Sequence, residues 1–189
     1  MFKMNNKLIF IRHAKTKIDK EVSIEDWVLT DEGQKEAEKI ANSDEFDDVD
    51  LLISSDEKKA YLTIKPLADK LKKEIIQVQD LGEIQRPNAE KLSKEEYEEM
   101  KVKIFEDRDF SQYDWETANH ALKRFKDAVT QIDDEQENKK ILICSHGTVM
   151  TLFFAYLQNK LDNLMQRWKD LKFGAVGIVK NKKVITDVV

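Results

Sequence analysis

Lys7-Leu8-Ile9-Phe10-Ile11-Arg12-His13-Ala14-Lys15-Thr16 is the stretch on which the reading of this chain turns. Four consecutive bulky apolar residues, Leu8 to Ile11, leave no solvent-facing side, so they predict a strand buried on both faces. The run ends abruptly on a cation and an imidazole. In an open α/β sheet, ligands bind in the crevice beyond the carboxyl ends of the strands. Arg12 offers a planar fork of donors for a phosphate or carboxylate. His13 belongs to the residue type used most often for proton transfer, and it can also act as a nucleophile.

Working outward, Lys17 to Val28 has neither helical nor strand period and reads as a loop beside the Arg-His end, well placed for substrate contacts. Thr30 then caps a predicted helix whose first turn carries Asp31 and Glu32 and whose apolar face holds Ala37, Ile40 and Ala41. Gly33, one turn in, reads as a close-packing residue and not a ligand. Asp44 to Asp50 reads as a solvated acidic linker.

Leu51 to Ile53 is a second buried strand ending in Ser54-Ser55. Asp56 to Leu71 reads as a helix in which Pro66 predicts a kink or break. Lys58 and Lys59 fall in its first turn, where a cation opposes the helix dipole and either reaches solvent or meets an anion. Ile75 to Val78 is a third strand, with Glu83 just beyond it. Residues 85–114 form a polar excursion expected to cover the carboxyl edge of the sheet, with a turn at Arg86-Pro87-Asn88 and an exposed helix over Glu90 to Lys103.

Trp115 to Ile132 is amphipathic, and the spacing of His120 places it at the surface. Ile141 to Ser145 is a fourth buried strand. It runs through His146-Gly147-Thr148 into the apolar helix Val149 to Leu157, a helix start suited to an anion. Phe173 to Val179 and Val184 to Val188 read as a hairpin around Asn181-Lys182. Alternating strands and helices imply parallel pairing with right-handed crossovers. Arg12-His13, Ser54-Ser55 with Lys59, Glu83 and His146 would then share one edge.

Composition narrows the classes. The chain has 189 residues, 41% apolar and 37% charged, which suits one domain spanning 1–189 with a large core and a densely charged surface. Net charge is −5 and no Lys/Arg block suggests a nucleic-acid partner. The single cysteine, Cys144, rules out an internal disulfide or a cysteine-rich metal site. Lys3 and Lys7 precede an apolar run that Arg12 breaks, too short for a secretory leader, and no stretch approaches a membrane span. A cytoplasmic protein with no membrane partner is expected. A cysteine phosphatase is excluded because Met150 stands where Cys144-x5-Arg needs arginine. A P-loop needs a Gly-rich Lys loop that is absent.

Several motifs, in order, resemble the histidine phosphatase superfamily, the phosphoglycerate-mutase-like proteins. Arg-His-Gly stands here as Arg12-His13-Ala14. Leu-Thr-x-x-Gly-x-x-x-Ala is Leu29-Thr30 through Gly33 to Ala37. Ser-Ser-x-x-x-Arg-Ala-x-x-Thr is Ser54-Ser55 through Lys59-Ala60 to Thr63. Leu-x-Glu is Leu81-Gly82-Glu83, and Ser-His-Gly is Ser145-His146-Gly147. Two positions depart: Ala14 replaces glycine, and Lys59 replaces arginine, turning a bidentate fork into a point charge.

The resemblance implies an α/β protein, a three-layer α/β/α sandwich on a mostly parallel sheet, acting as a metal-independent phosphatase without cofactor. It implies His13 as the nucleophile, Glu83 as the general acid and base, and Arg12, Lys59 and His146 around the phosphate. The implied substrate is a small phosphorylated metabolite or a phosphoprotein. A phosphohistidine-protein phosphatase and a non-catalytic phospholigand-binding protein are the alternatives. The latter would be expected to lack His13 or Glu83, and both are present.

Overall fold

The computed structural model describes residues 5–189, so Lys3 lies outside the described residues. Six strands form one sheet: β1 (Lys7–Arg12), β2 (Leu51–Ser54), β3 (Ile75–Gln77), β4 (Lys140–Ser145), β5 (Val176–Lys180) and β6 (Lys183–Thr186). Their order is β3-β2-β4-β1-β5-β6. The first four strands are mutually parallel, and β5 and β6 add an antiparallel edge. Six helices cover the sheet: α1 (Asp31–Ala41), α2 (Lys58–Leu71), α3 (Lys94–Glu106), α4 (Ala118–Asp134), α5 (Gly147–Leu157) and α6 (Leu164–Asp170). The expected three-layer α/β/α sandwich on a mostly parallel sheet is the observed architecture.

Alternation along β1 builds both cores. Leu8 and Phe10 join Phe125 of α4 and the Phe153–Phe154 pair of α5 on one face. Ile9 and Ile11 join Ile40 of α1 and Ile64 and Leu67 of α2 on the other. Phe10 lies 5.4 Å, centroid to centroid, from both α5 phenylalanines, tilted against Phe153 and edge-to-face with Phe154. Cys144 of β4 is fully buried in the second core, and burial pushes its thiol pKa far up. The hairpin turns on Asn181 and Lys182, both at positive φ (52° and 60°), as a two-residue turn between twisted strands requires.

Three expectations need correction, and one element is new. Pro66 does not break α2, whose buried Ile64, Leu67 and Ala68 fasten it to the sheet on both sides of the proline. The segment 44–50 is not simply solvated, because Phe46 and Val49 are buried under the sheet. The helix of the long excursion spans 94–106 and is not exposed throughout, since Met100, Lys101, Ile104 and Phe105 turn inward. The short helix α6 was not anticipated, although Leu164, Trp168 and Leu171 fall at helical spacing.

Gly33 is a packing residue, as expected. The segment after β1 returns along α1 through a bridge between Thr16 and Leu29, and Thr30 both caps α1 and donates its N–H to the Lys15 carbonyl at 3.0 Å. A Cβ on Gly33 would lie 2.1 Å from that carbonyl oxygen. Backbone cannot yield there as a side chain could. Gly33→Ala is therefore expected to destabilise the protein by about 1–3 kcal/mol, the range for overpacking. Urea unfolding checks this, and a stabilised variant would contradict the contact.

Candidate active site

Strand register assembles the site. In-register pairing sets Arg12 beside Ser145 and Ser54 beside Cys144. The next residue on each strand continues the pattern. His13 donates its N–H to the Ser145 carbonyl at 2.9 Å, and Ser55 donates to the Cys144 carbonyl at 3.1 Å. His13, His146 and Ser55 therefore leave three adjacent strands side by side. The two imidazole centroids lie 5.1 Å apart. Arg12, His13, Lys59 and Glu83 all line one cavity of about 420 Å³, while His146 lies beside His13 and is fully buried.

Lys59 is 2% exposed and reaches the cavity, whereas Lys58 faces solvent. His120 is at the surface, its Nδ1 2.6 Å from Glu116 Oε1, and it does not line the cavity. A second cavity, about 320 Å³ between α4 and the hairpin, contains none of the strand-end residues.

His13 is held in one orientation. Its Nδ1 lies 2.9 Å from the Ala14 carbonyl, so Nδ1 carries the proton and Nε2 keeps its lone pair. Burial, then the neighbouring His146 and Lys59, lower the His13 pKa well below the ordinary imidazole value. His146 Nε2 lies 2.6 Å from Ser55 Oγ and 3.3 Å from the Glu57 carboxylate, which marks Nε2 as the protonated nitrogen. Burial lowers His146 to about 4 despite the opposing pull of Glu57.

Glu57, the N-cap residue of α2, is an addition that the motif reading passed over. It pairs with the Lys59 ammonium and accepts the Glu83 N–H at 2.6 Å. Burial would raise its carboxyl, but the His146 ring, Lys59 and Arg86 hold it down to about 2. Lys59 also donates to the Ile24 carbonyl at 2.8 Å, tying the loop after β1 to α2. Arg86, read as part of a turn, lines the same cavity. A cation three residues after Glu83 was the available signal. Arg12 Nε, Arg86 Nε and His146 Nδ1 are buried without any partner, so unsatisfied nitrogens concentrate at this site.

The start of α5 departs from expectation. Its free N–H groups do not await a substrate anion, because Glu83 already occupies them. Glu83 Oε2 accepts from Thr148 at 2.9 Å, and Oε1 accepts from Val149 at 3.3 Å and Ile84 at 2.9 Å. Burial alone would raise its pKa, but Lys101, Arg86, His146 and the Thr148 N–H hold it far below the usual carboxylate range. Lys101, from α3, is fully buried and donates to Thr148 Oγ1 at 2.5 Å.

The backbone around Glu83 is clamped from α4. Arg124 donates to the carbonyls of Asp80, Gly82 and Glu83 at 2.7–3.0 Å and forks onto Glu116 at 2.8 Å. Neither residue stood out in the sequence, because on an amphipathic helix they look like solvated charge. Among the described residues, no group of three or more His, Cys, Asp or Glu is arranged to hold a metal ion. No described helix is long and apolar enough to cross a membrane.

The fold is similar to Bacillus stearothermophilus YhfR, with TM-score 0.78, 23% identity and coverage of 96% of this chain and 95% of that one. It is similar to a mycobacterial glucosyl-3-phosphoglycerate phosphatase, with TM-score 0.76, 16% identity and 94% of each chain covered. It is also similar to a phosphoserine phosphatase from Entamoeba histolytica, with TM-score 0.69, 21% identity and coverage of 92% and 89%. A search of curated protein sequences returned no match. The sequence itself matches the description "Histidine phosphatase superfamily (branch 1)" over residues 8–181, from the first strand to the hairpin turn, and the chain belongs to that superfamily.

Proposed function

We propose that this protein is a metal-independent phosphatase that hydrolyses a phosphomonoester through a phosphohistidine on His13. The observation that carries the reading is the state of His13: buried, neutral, pinned through Nδ1 to the Ala14 carbonyl, and lining the cavity shared with Arg12, Lys59 and Arg86. In-line attack needs an unprotonated nitrogen, and the pinned tautomer provides one at Nε2. The phosphoryl oxygens carry the charge, and preorganised cations around them are the dominant stabilisation in phosphoryl transfer. Arg12, Lys59 and Arg86 fill that role, which a metal ion fills in other sites, while the neutral His146 ring packs against His13 and adds no fixed charge.

Glu83 is the acid–base group of the reading. As a carboxylate it is ready for the second half-reaction, taking a proton from the water that attacks the phosphohistidine. Donating a proton in the first half-reaction requires the arriving phosphate dianion to offset the cations that hold Glu83 ionised. A phosphohistidine-protein phosphatase is the second reading, favoured by that ionised state, because its nitrogen leaving group needs less acid help. In both readings the substrate is outside the chain, a small phosphorylated metabolite in the first and a phosphoprotein in the second. The neighbours named for glucosyl-3-phosphoglycerate and phosphoserine fit the first.

Rapid quenching during turnover in EDTA is expected to trap phosphate on His13, acid-labile and alkali-stable, with His13→Ala abolishing label and turnover. Label on another residue, or turnover without label, would overturn the mechanism. Lys59→Ala should cost activity about 10²-fold or more, the scale of one preorganised donor, with Lys58→Ala near wild type. Reversed phenotypes would contradict the placement of the two ammonium groups. Titration of the ring resonances by NMR should find both His13 and His146 neutral at pH 6, with His146 protonating near pH 4. Because each imidazole binds protons less readily folded than unfolded, stability should fall as pH drops below about 6.5. Protonation of both rings near the ordinary value would show that the pair is solvated.

A further inference from the structure

We propose that the ester cleaved here is an aryl phosphate, a small phosphomonoester whose leaving group is a phenol. This inference rests on the phosphatase reading above and names the leaving-group class that reading lacks. The first observation is the cavity wall. Above the strand ends it is built from Ile18, Trp27, Tyr97, Trp168 and Phe173. Aromatic surface begins at the nucleophile itself, since the Phe173 ring centroid lies 5.6 Å from that of His13, with the Arg12 guanidinium 4.2 Å over its face.

Three of the polar groups nearest these walls are engaged within the protein, and the unpartnered Nε groups of Arg12 and Arg86 are reserved for the phosphoryl group. Trp27 Nε1 donates to the Asp19 carbonyl at 2.7 Å. Arg86 Nη1 donates to the Ile84 carbonyl at 2.9 Å, and Lys59 is shared between Glu57 and the Ile24 carbonyl. Charge returns in the lining with Lys20 and Lys94, both exposed, and the half-buried Glu90. A polyhydroxylated or carboxylated leaving group would lose water against these walls with few partners in return. A planar ring gains area burial and edge or face contacts. The cavity of about 420 Å³ suits one or two rings and not a polypeptide segment.

The second observation is independent of the walls. Both Glu83 oxygens accept backbone N–H groups, from Ile84, Thr148 and Val149. The carboxylate is thus fastened as an acceptor and poorly set to donate a proton. A phenol has a pKa near ~10, like the tyrosine side chain, so phenolate can leave without a proton. An alkoxide resembles hydroxide, whose conjugate acid lies near ~15.7, and needs one.

The step then balances as follows. His13 Nε2 forms the N–P bond while the P–O(aryl) bond breaks, its electron pair leaves with the phenolate oxygen, and solvent protonates that oxygen. Water next attacks phosphorus and gives its proton to Glu83, and the N–P bond electrons return to Nε2. The products are a phenol and inorganic phosphate.

The test separates binding from leaving-group reactivity. Benzylphosphonate, which cannot be hydrolysed, is compared as a competitive inhibitor with methylphosphonate and with a carboxylated phosphonate of three carbons. It should bind about tenfold or more tightly, the fold-change equivalent to ~1.4 kcal/mol. Turnover is measured on phenyl and α-naphthyl phosphate, 3-phosphoglycerate, phosphoserine, a phosphotyrosyl peptide and a phosphohistidine peptide. The free aryl esters should have the highest kcat/KM. Ile18 is 68% exposed, so Ile18→Asp should fold normally. It should reduce the preference for the naphthyl ester over 3-phosphoglycerate.

Preference for the phosphonate with the carboxylate, or for 3-phosphoglycerate or phosphoserine, overturns the aryl assignment and leaves the phosphatase reading standing. A peptide turned over faster than the free aryl esters overturns the small-molecule assignment. An unchanged preference in Ile18→Asp overturns the assignment of the wall. Absence of turnover on every ester, with inorganic phosphate still bound, overturns the phosphatase reading itself.

Discussion

The parallel in-register pairing of β1, β4 and β2 is the constraint on which the rest of this structure depends. The same hydrogen bonds that bury Phe10 on one face and Ile9 and Ile11 on the other bring Arg12 beside Ser145. His13 then emerges beside His146. Side chains alternate along a strand, so a slip of one residue would turn the apolar faces inside out and move the imidazoles about 3.3 Å apart along the strand direction. Core formation and alignment of the two imidazoles are one event. No separate device is needed to hold the site in register.

Around that frame, charge is arranged in mutually dependent layers. Arg12, Lys59, Arg86 and Lys101 are set against Glu57 and Glu83 in a setting with little water. A buried charge is costly unless paired and hydrogen-bonded. Glu57 answers Lys59, and Glu83 is satisfied by the start of α5. Arg124 and Glu116 hold the backbone on which Glu83 sits. Lysine in place of arginine at position 59 suits this scheme, because a compact ammonium serves both a carboxylate and a carbonyl. Arg12 and Arg86 retain buried Nε groups that no protein acceptor satisfies.

What could be read in the sequence was local, or repeated with a clear period. Leu8–Ile11 and Ile141–Ser145 announced buried strands because four apolar residues in a row have no alternative. Thr30 announced a helix start. Motif order then placed Arg12, His13, Lys59, Glu83 and His146 at one edge. Charged residues whose partners are distant in sequence stayed hidden. Lys101 sits in a run of charges yet is fully buried, and nothing near it in sequence names Thr148 as its partner. Glu57 is one acidic residue among several until strand register brings His146 to it. Pro66 does not interrupt α2 for the converse reason, since long-range packing of the helix outweighs a strong local rule.

Cys144 lies in the middle of this arrangement, one residue from the carboxyl end of β4 and without solvent contact. Burial keeps its thiol protonated, and the thiolate is the reactive form. The lone thiol of the chain is therefore silent toward thiol-directed reagents while the sheet is closed. Its modification rate counts openings of the central strands and not events in the cavity. Inactivation by a thiol reagent would report the lifetime of the native fold, so this phosphatase-family chain carries its own unfolding clock in its single cysteine.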